Sequence, residues 1–236
     1  MEQTEFISPF SYTKHDWKVE WKIIASNAKY DIPNENRSEK EEKALEAIAS
    51  VGVIGGLQLK NLFQLKNLKS MAKRHLIVEH RLKKNNQEIP IYTLGKYGAN
   101  KIMPEYQSNY WLEMDEAQVL KCISFFQFCQ MFNNQSDIEI MPVPEPFTAG
   151  IKLNGKLFYV FAEKDGIKEL MLFLKWKKHF NESIFILTER LDYVKDINVF
   201  LETTPLKIRV ILDRQLKNRE FKLYHYNSDQ GEWKKG

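Results

Sequence analysis

The sequence predicts an α+β fold in two parts: three short helices closed by a basic hairpin, then an α/β sandwich around a mixed sheet. Three observations predict it. Helix-periodic apolar residues run over 38–76 behind a capping-box pattern; two strand-like runs, 77–82 and 89–94, flank a polar tip; and beyond residue 137 apolar strand-like segments alternate with helical ones.

In chain order, residues 1–37 form an aromatic-rich arm and linker. Met1-Glu2-Gln3-Thr4-Glu5 is acidic and polar, unlike a secretory signal. Phe6, Phe10, Tyr12, Trp17, Trp21, Ile23 and Ile24 are too many apolar groups for a disordered tail. Trp17, Val19, Trp21 and Ile23 alternate with charged residues, a period of two that favours a strand. Two roles are open to the arm: packing on the chain's own C-terminal domain, or a dimer contact. Residues 31–37, with Pro33, read as a linker.

Residues 38–104 read as a winged helix. Ser38 precedes Glu41 by three positions, so each side chain can satisfy a backbone N–H left orphan at a helix start. The helix that follows places Ala44, Leu45, Ile48 and Ala49 on one face, and Gly52, Gly55 and Gly56 end it. A second helix over 57–63 buries Leu59, Leu62 and Phe63. A third, over 66–76, buries Leu68, Ala72 and Leu76 and presents Lys66, Asn67, Lys69, Ser70, Lys73 and Arg74 on its other face. Those side chains can reach phosphates and base edges from a major groove. In the hairpin, residues 83–88 form the tip; Lys83 and Lys84 there, with Arg81 on the strand before it, would meet a phosphate backbone. Residues 95–103 close the unit as a helix that Pro104 ends.

Charge follows this division. Residues 60–101 hold ten Lys/Arg and two Glu, a net +8, whereas the whole chain carries +4 and its remainder therefore −4. Such a patch gives salt-sensitive affinity for nucleic acid through counterion release. The competing account is a solvated helix face on a domain that binds protein.

Length and composition bound the rest. At 236 residues, 43% hydrophobic and 13% aromatic, the chain suits one large or two small domains with real cores. No run approaches the roughly 18 apolar residues of a membrane span. Cys122 and Cys129 stand seven apart on a predicted helix, where the rise of roughly 10 Å forbids a disulfide. Two core thiols and no leader lead to the expectation of a cytoplasmic protein.

Residues 110–236 form the second domain. A very apolar helix, from about 110 or 114 to 132, carries Leu112, Val119, Leu120, Ile123, Phe125, Phe126, Phe128 and Phe132 and must be largely buried. Strands follow at 138–142, 147–153 and 156–162, with Asn154-Gly155 as a turn. Then come a helix over 166–180, a strand over 183–188, a helix over 191–202 and strands over 206–212 and 220–226. The order α-β-β-β-α-β-α-β-β makes an α/β sandwich with a mixed sheet.

This order resembles the restriction-endonuclease-like core, which holds magnesium with an acid near one strand and Glu-x-Lys on the next. The nearest residues are Glu145, after Pro144, and Glu163 in Glu163-Lys164-Asp165. They are the candidates for a divalent cation, which would polarise a phosphoryl oxygen. Glu163 and Lys164 are adjacent, so on a strand they point to opposite faces, and an inactive scaffold is the expected state. The alternative is a metal-dependent nuclease targeted by the winged helix. His179 at a helix end complements the helix dipole, and His225 reads as a sheet residue. With no nucleophile elbow, phosphate loop or zinc pattern, no catalytic residue and no cofactor are expected.

Several segments resemble the replication-relaxation family of plasmids and related mobile elements. Gln58-Leu59 with Leu62-Phe63 is similar to its second winged-helix helix, residues 71–77 to the end of its third, and Tyr92-Thr93-Leu94-Gly95-Lys96-Tyr97-Gly98-Ala99 to its strand-to-helix exit. Pro144-Glu145 and residues 158–165 resemble its second half, with Glu145 where the family has Asp. The match covers about 41–193. It implies DNA binding in plasmid replication, copy control or transfer, without established catalysis. The expectation is a homodimer that binds double-stranded DNA and acts in replication, copy control or transcriptional regulation; a protein-interaction module is the remaining alternative.

Overall fold

A computed structural model describes residues 7–25, 36–100, 102–132, 138–177, 180, 182–204 and 206–236. The chain is α+β, with two sheets. The first half contains β1 (Trp17–Glu20), α1 (Glu39–Val51), β2 (Val53–Gly55), α2 (Gly56–Phe63), α3 (Leu68–Lys73), β3 (Ile77–Lys84), β4 (Gln87–Leu94) and α4 (Lys96–Ala99). The second contains α5 (Glu116–Cys129), β5 (Glu139–Met141), β6 (Ala149–Leu153), β7 (Lys156–Ala162), α6 (Lys168–Trp176), β8 (Ser183–Thr188), α7 (Asn198–Thr203), β9 (Lys207–Leu212), α8 (Asp213–Asn218), β10 (Tyr224–Asn227) and β11 (Glu232–Lys235).

The first sheet runs β1-β3-β4-β2 and is antiparallel throughout. Three sequence expectations change here. Val53, Ile54 and Gly55 do not merely end α1 but pair with β4, because all three are buried and need ladder partners. The polar tip shrinks to Asn85-Asn86, since Lys83 pairs with Glu88 and Lys84 with Gln87 in register; Asn85 takes the left-handed conformation that a two-residue turn needs. The third helix covers only 68–73, because His75 also turns left-handed and leads straight into β3. The expected strand in the arm is β1, and Trp17 is its buried residue. Much of the predicted linker, the segment 133–136 and His179 lie outside the described residues.

Gly98 is required sterically. A Cβ there would overlap the Leu76 carbonyl oxygen, so only glycine lets α4 close against the start of β3.

The second sheet runs β11-β10-β9-β8-β7-β6-β5, with β7, β8 and β9 parallel and both flanks antiparallel. Its three parallel strands are apolar on both faces because both are covered. Val160, Ala162, Phe185, Leu187 and Ile211 face a core shared with α5. Phe161, Ile184, Ile186, Ile208, Val210 and Leu212 face the opposite way, in a cluster shared with α6 and the 191–197 turns. Two expectations are corrected at the end of the chain. Residues 213–218 are helical, and the final expected strand begins later and pairs with an additional one, β11.

Helix α5 joins the two sheets. Asp115 caps it: its Oδ1 accepts from the Gln118 N–H at 2.8 Å, and Gln118 Oε1 accepts from the Asp115 N–H at 3.0 Å. Ten of its fourteen residues are buried, so it has almost no solvent face. Val119, Leu120, Cys122 and Ile123 pack with Trp17, Val53, Leu82 and Ile91 of the first sheet. Phe125, Phe126, Phe128 and Cys129 enter a continuous core that holds Ala44, Leu45 and Ile48 of α1 as well as Ala149, Ile151 and Val160 of the second sheet. The thiols are buried and free; desolvation pushes Cys122 up to about 12 and raises Cys129 further. Both therefore serve as small apolar side chains.

Phe128 is fully buried against Phe132 and Phe185. Phe128→Ala should cost about 3–5 kcal/mol. Urea unfolding followed by far-UV circular dichroism and by tryptophan fluorescence should still give coincident transitions. A cost below about 1 kcal/mol, or two separated transitions, would contradict a shared core.

Candidate nucleic-acid interface

The exposed face of α2 and α3 is fixed by what lies beneath it. The buried Gln58 accepts from the Gly55 N–H at 3.1 Å and donates through Nε2 to the Ile123 carbonyl of α5 at 2.7 Å. Leu59, Leu68 and Met71 complete the buried side. Asn67 caps α3, its Oδ1 accepting from the Ser70 N–H at 3.0 Å. With those positions committed inward, Lys60, Lys66, Asn67, Lys69 and Lys73 are exposed and Ser70 is half-buried. No ion pair holds any of the four lysines among the described residues. Lys60, in the last turn of α2, adds a cation to this face that the helical period over 66–76 does not include.

Arg74, expected on the same face, is drawn inward. Its guanidinium is paired with Glu41, and Nη1 reaches the Asn36 carbonyl at 3.4 Å. Glu41 also accepts from the Ser38 N–H at 2.9 Å, so one carboxylate caps α1 and ties it to the end of α3. Burial alone would raise the Glu41 carboxyl, but hydrogen bonds from Ser38 and Arg74 outweigh it and hold the group below its usual value. A shallow cleft of about 350 Å³ lies beside this clamp, lined by Lys40, Gln64, Lys66, Asn67 and Ser70 among others.

The hairpin cations are also engaged within the chain. Arg81 Nη1 lies 2.5 Å from Glu88 Oε2. Lys83 Nζ lies 2.5 Å from Glu20 Oε1 and 3.4 Å from Glu88 Oε1, and the Glu20 hydrogen bond holds it above its ordinary value. Lys84 Nζ donates to the Pro9 carbonyl at 3.0 Å and lies 5.2 Å from the Trp17 ring centre. The arm is anchored near the hairpin by His80. Its Nδ1 accepts from the Lys22 N–H at 2.9 Å, so Nε2 carries the hydrogen toward Thr93 Oγ1 at 2.8 Å. Burial, with Lys22 beside it, pulls His80 down to about 3 and keeps it neutral.

A second polar cluster lies at the carboxyl ends of β7, β8 and β9. Lys164 Nζ is fully buried, 2.7 Å from Asp213 Oδ2, and the Ser8 hydroxyl donates to the same oxygen at 2.6 Å. Glu163 accepts from Thr188 Oγ1 at 2.8 Å and from the Gly166 N–H at 3.0 Å, and burial raises its carboxyl. Thus Glu163 and Lys164 do diverge, as their adjacency requires. Glu145 is exposed in the turn before β6. Among the described residues, no group of three His, Cys, Asp or Glu could hold a metal ion. The Lys164–Asp213 pair, closed by the Ser8 hydroxyl, thus joins the N-terminal arm to the ends of β7 and β9. Asp213 ends the apolar run 208–212, which was the one sequence signal for this pair.

No helix among the described residues is long and apolar enough to cross a membrane. No family model matches the chain, and neither does any curated protein or solved structure.

The clamp predicts a split within the basic face. Arg74→Ala should lower stability by about 1–3 kcal/mol, since it strands a part-buried carboxylate, whereas Lys69→Ala and Lys73→Ala should leave the thermal midpoint within a degree or two. An Arg74→Ala protein as stable as the parent would remove the clamp.

Proposed function

We propose that the chain is a double-stranded DNA-binding protein that docks through the face of α2 and α3. One observation carries this reading: Lys60 on α2, Lys66 in the connection and Lys69 and Lys73 on α3 stand exposed and, among the described residues, free of ion pairs, on a segment whose other side is committed to the core. A lysine face of this kind releases counterions from phosphates. Asn67 and Ser70 add hydrogen-bonding groups suited to base edges or phosphate oxygens. The element order α1-β2-α2-α3-β3-β4 supports a winged helix, with α3 as recognition helix and Asn85-Asn86 as the wing tip.

The reading extends to the second half. There α5, the meander β5-β6-β7, α6 and a β8 parallel to β7 support a restriction-endonuclease-like core. Glu163, with both oxygens occupied, and the exposure of Glu145 in a turn favour a scaffold over a nuclease. On the resemblance to the replication-relaxation family, we place the protein in replication, copy control or transcriptional regulation of a plasmid or mobile element. It would act in the cytoplasm as a homodimer, which presents two lysine faces to a duplex.

The test is a triple variant, Lys66→Ala, Lys69→Ala and Lys73→Ala, compared with the parent by fluorescence anisotropy on mixed-sequence duplex. Affinity should fall by roughly tenfold or more at low salt, with an unaltered circular dichroism spectrum. Equal affinity in a folded triple variant would contradict the assignment of the face.

A further inference from the structure

The N-terminal arm lies on the hairpin cations that the sequence assigned to phosphate. Glu20 places a carboxylate on Lys83, and Pro9 places a carbonyl oxygen on Lys84. Both acceptors come from the arm. Glu88, the hairpin's own acid, already serves Arg81 at 2.5 Å and stands 3.4 Å from Lys83. We propose that residues 8–20 are an autoinhibitory strap whose oxygens stand in for DNA phosphates on Lys83 and Lys84, and that duplex DNA displaces residues 8–16 from the hairpin. This rests on the DNA-binding reading above.

The geometry separates a fixed part from a movable one. Trp17 is buried, and β1 is paired with β3 from Trp17 to Glu20, so this stretch stays in the sheet. At Glu20 only the side chain must turn away. Ahead of Trp17 the backbone joins no sheet, and the attachments include Pro9 to Lys84, Ser8 to Asp213, the Trp17 indole N–H to the Ser11 carbonyl at 2.8 Å, and one apolar contact, the Phe10 ring stacked on Trp17 with centroids 6.2 Å apart. Exposed ion pairs are weak in water, and a phosphate backbone outcompetes a single carboxylate for a lysine. The far end holds more firmly. Asp213 is buried, its Oδ1 has no hydrogen-bond partner, and its Oδ2 takes both Lys164 and Ser8. The hydroxyl of Ser8 is therefore the catch that sets how readily the strap opens, and it ties the hairpin to the carboxyl ends of the parallel strands.

The experiment uses the full chain and a mixed-sequence duplex. Anisotropy compares the parent with Ser8→Ala, with Glu20→Gln, and with Glu139→Gln, which removes an equal charge at the exposed edge strand β5. Ser8→Ala changes no charge, so a gain there reports strap release alone; Glu20→Gln sits at the surface and keeps the test open should Ser8→Ala fold poorly. Both should bind roughly three- to tenfold tighter than the parent, by raising the open fraction, while Glu139→Gln stays within about twofold. Hydrogen exchange over 8–16 should rise when the parent is saturated with DNA. If the parent binds DNA but both strap variants match it, or exchange over 8–16 is unchanged at saturation, the strap is overturned and DNA binding stands. No binding by parent or variants at low salt overturns both.

Discussion

The fold depends on the burial of α5 on every side. A fourteen-residue helix with ten buried positions cannot be solvated, and each half of the chain supplies one wall of its enclosure. Its first turns pack under the antiparallel sheet, and its phenylalanines fill the space between α1 and the parallel strands. Burial of three phenylalanines, at about 1.5–3 kcal/mol each, outweighs any single polar contact in the molecule. The constraint reaches the surface through Gln58, whose bond to the Ile123 carbonyl sets α2 on α5. The lysine face is thus rigidly mounted although its own helices are short.

Electrostatics then divide the cations into two sets. On the hairpin, the outward row Arg81 and Lys83 meets Glu20 and Glu88, and Lys84 turns to the arm. On α2, α3 and their connection no acid among the described residues pairs with Lys60, Lys66, Lys69 or Lys73. Net charge over 60–101 does not show this division, because Arg74 and Lys83 are answered by acids outside the segment, Glu41 and Glu20.

How much was legible follows the range of each interaction. The Ser38–Glu41 capping box is local, and it stands as read. The amphipathic faces of α1 and α5 and the double-sided burial of the parallel strands follow from periodicity. Strand β2 was not legible, since three residues beside glycines carry no period, and its ladder comes from β4, far along the chain. Arg74 looked like its neighbours Lys69 and Lys73; only the fold brings Glu41 to it from 33 positions away. Ser8 and Asp213, separated by 205 positions, gave no sequence signal as a pair. The shortened third helix reflects His75, whose left-handed backbone overrides the apolar period that continues through Leu76.

The central claim is that four lysines on α2, α3 and the connection between them meet phosphates. The most direct measurement is the dependence of duplex affinity on salt. With about four phosphates neutralised, the logarithm of the association constant should fall against the logarithm of salt concentration with a slope of about −3 to −4. A slope near zero, or no association even at low salt, would contradict the claim and make the face a solvated surface.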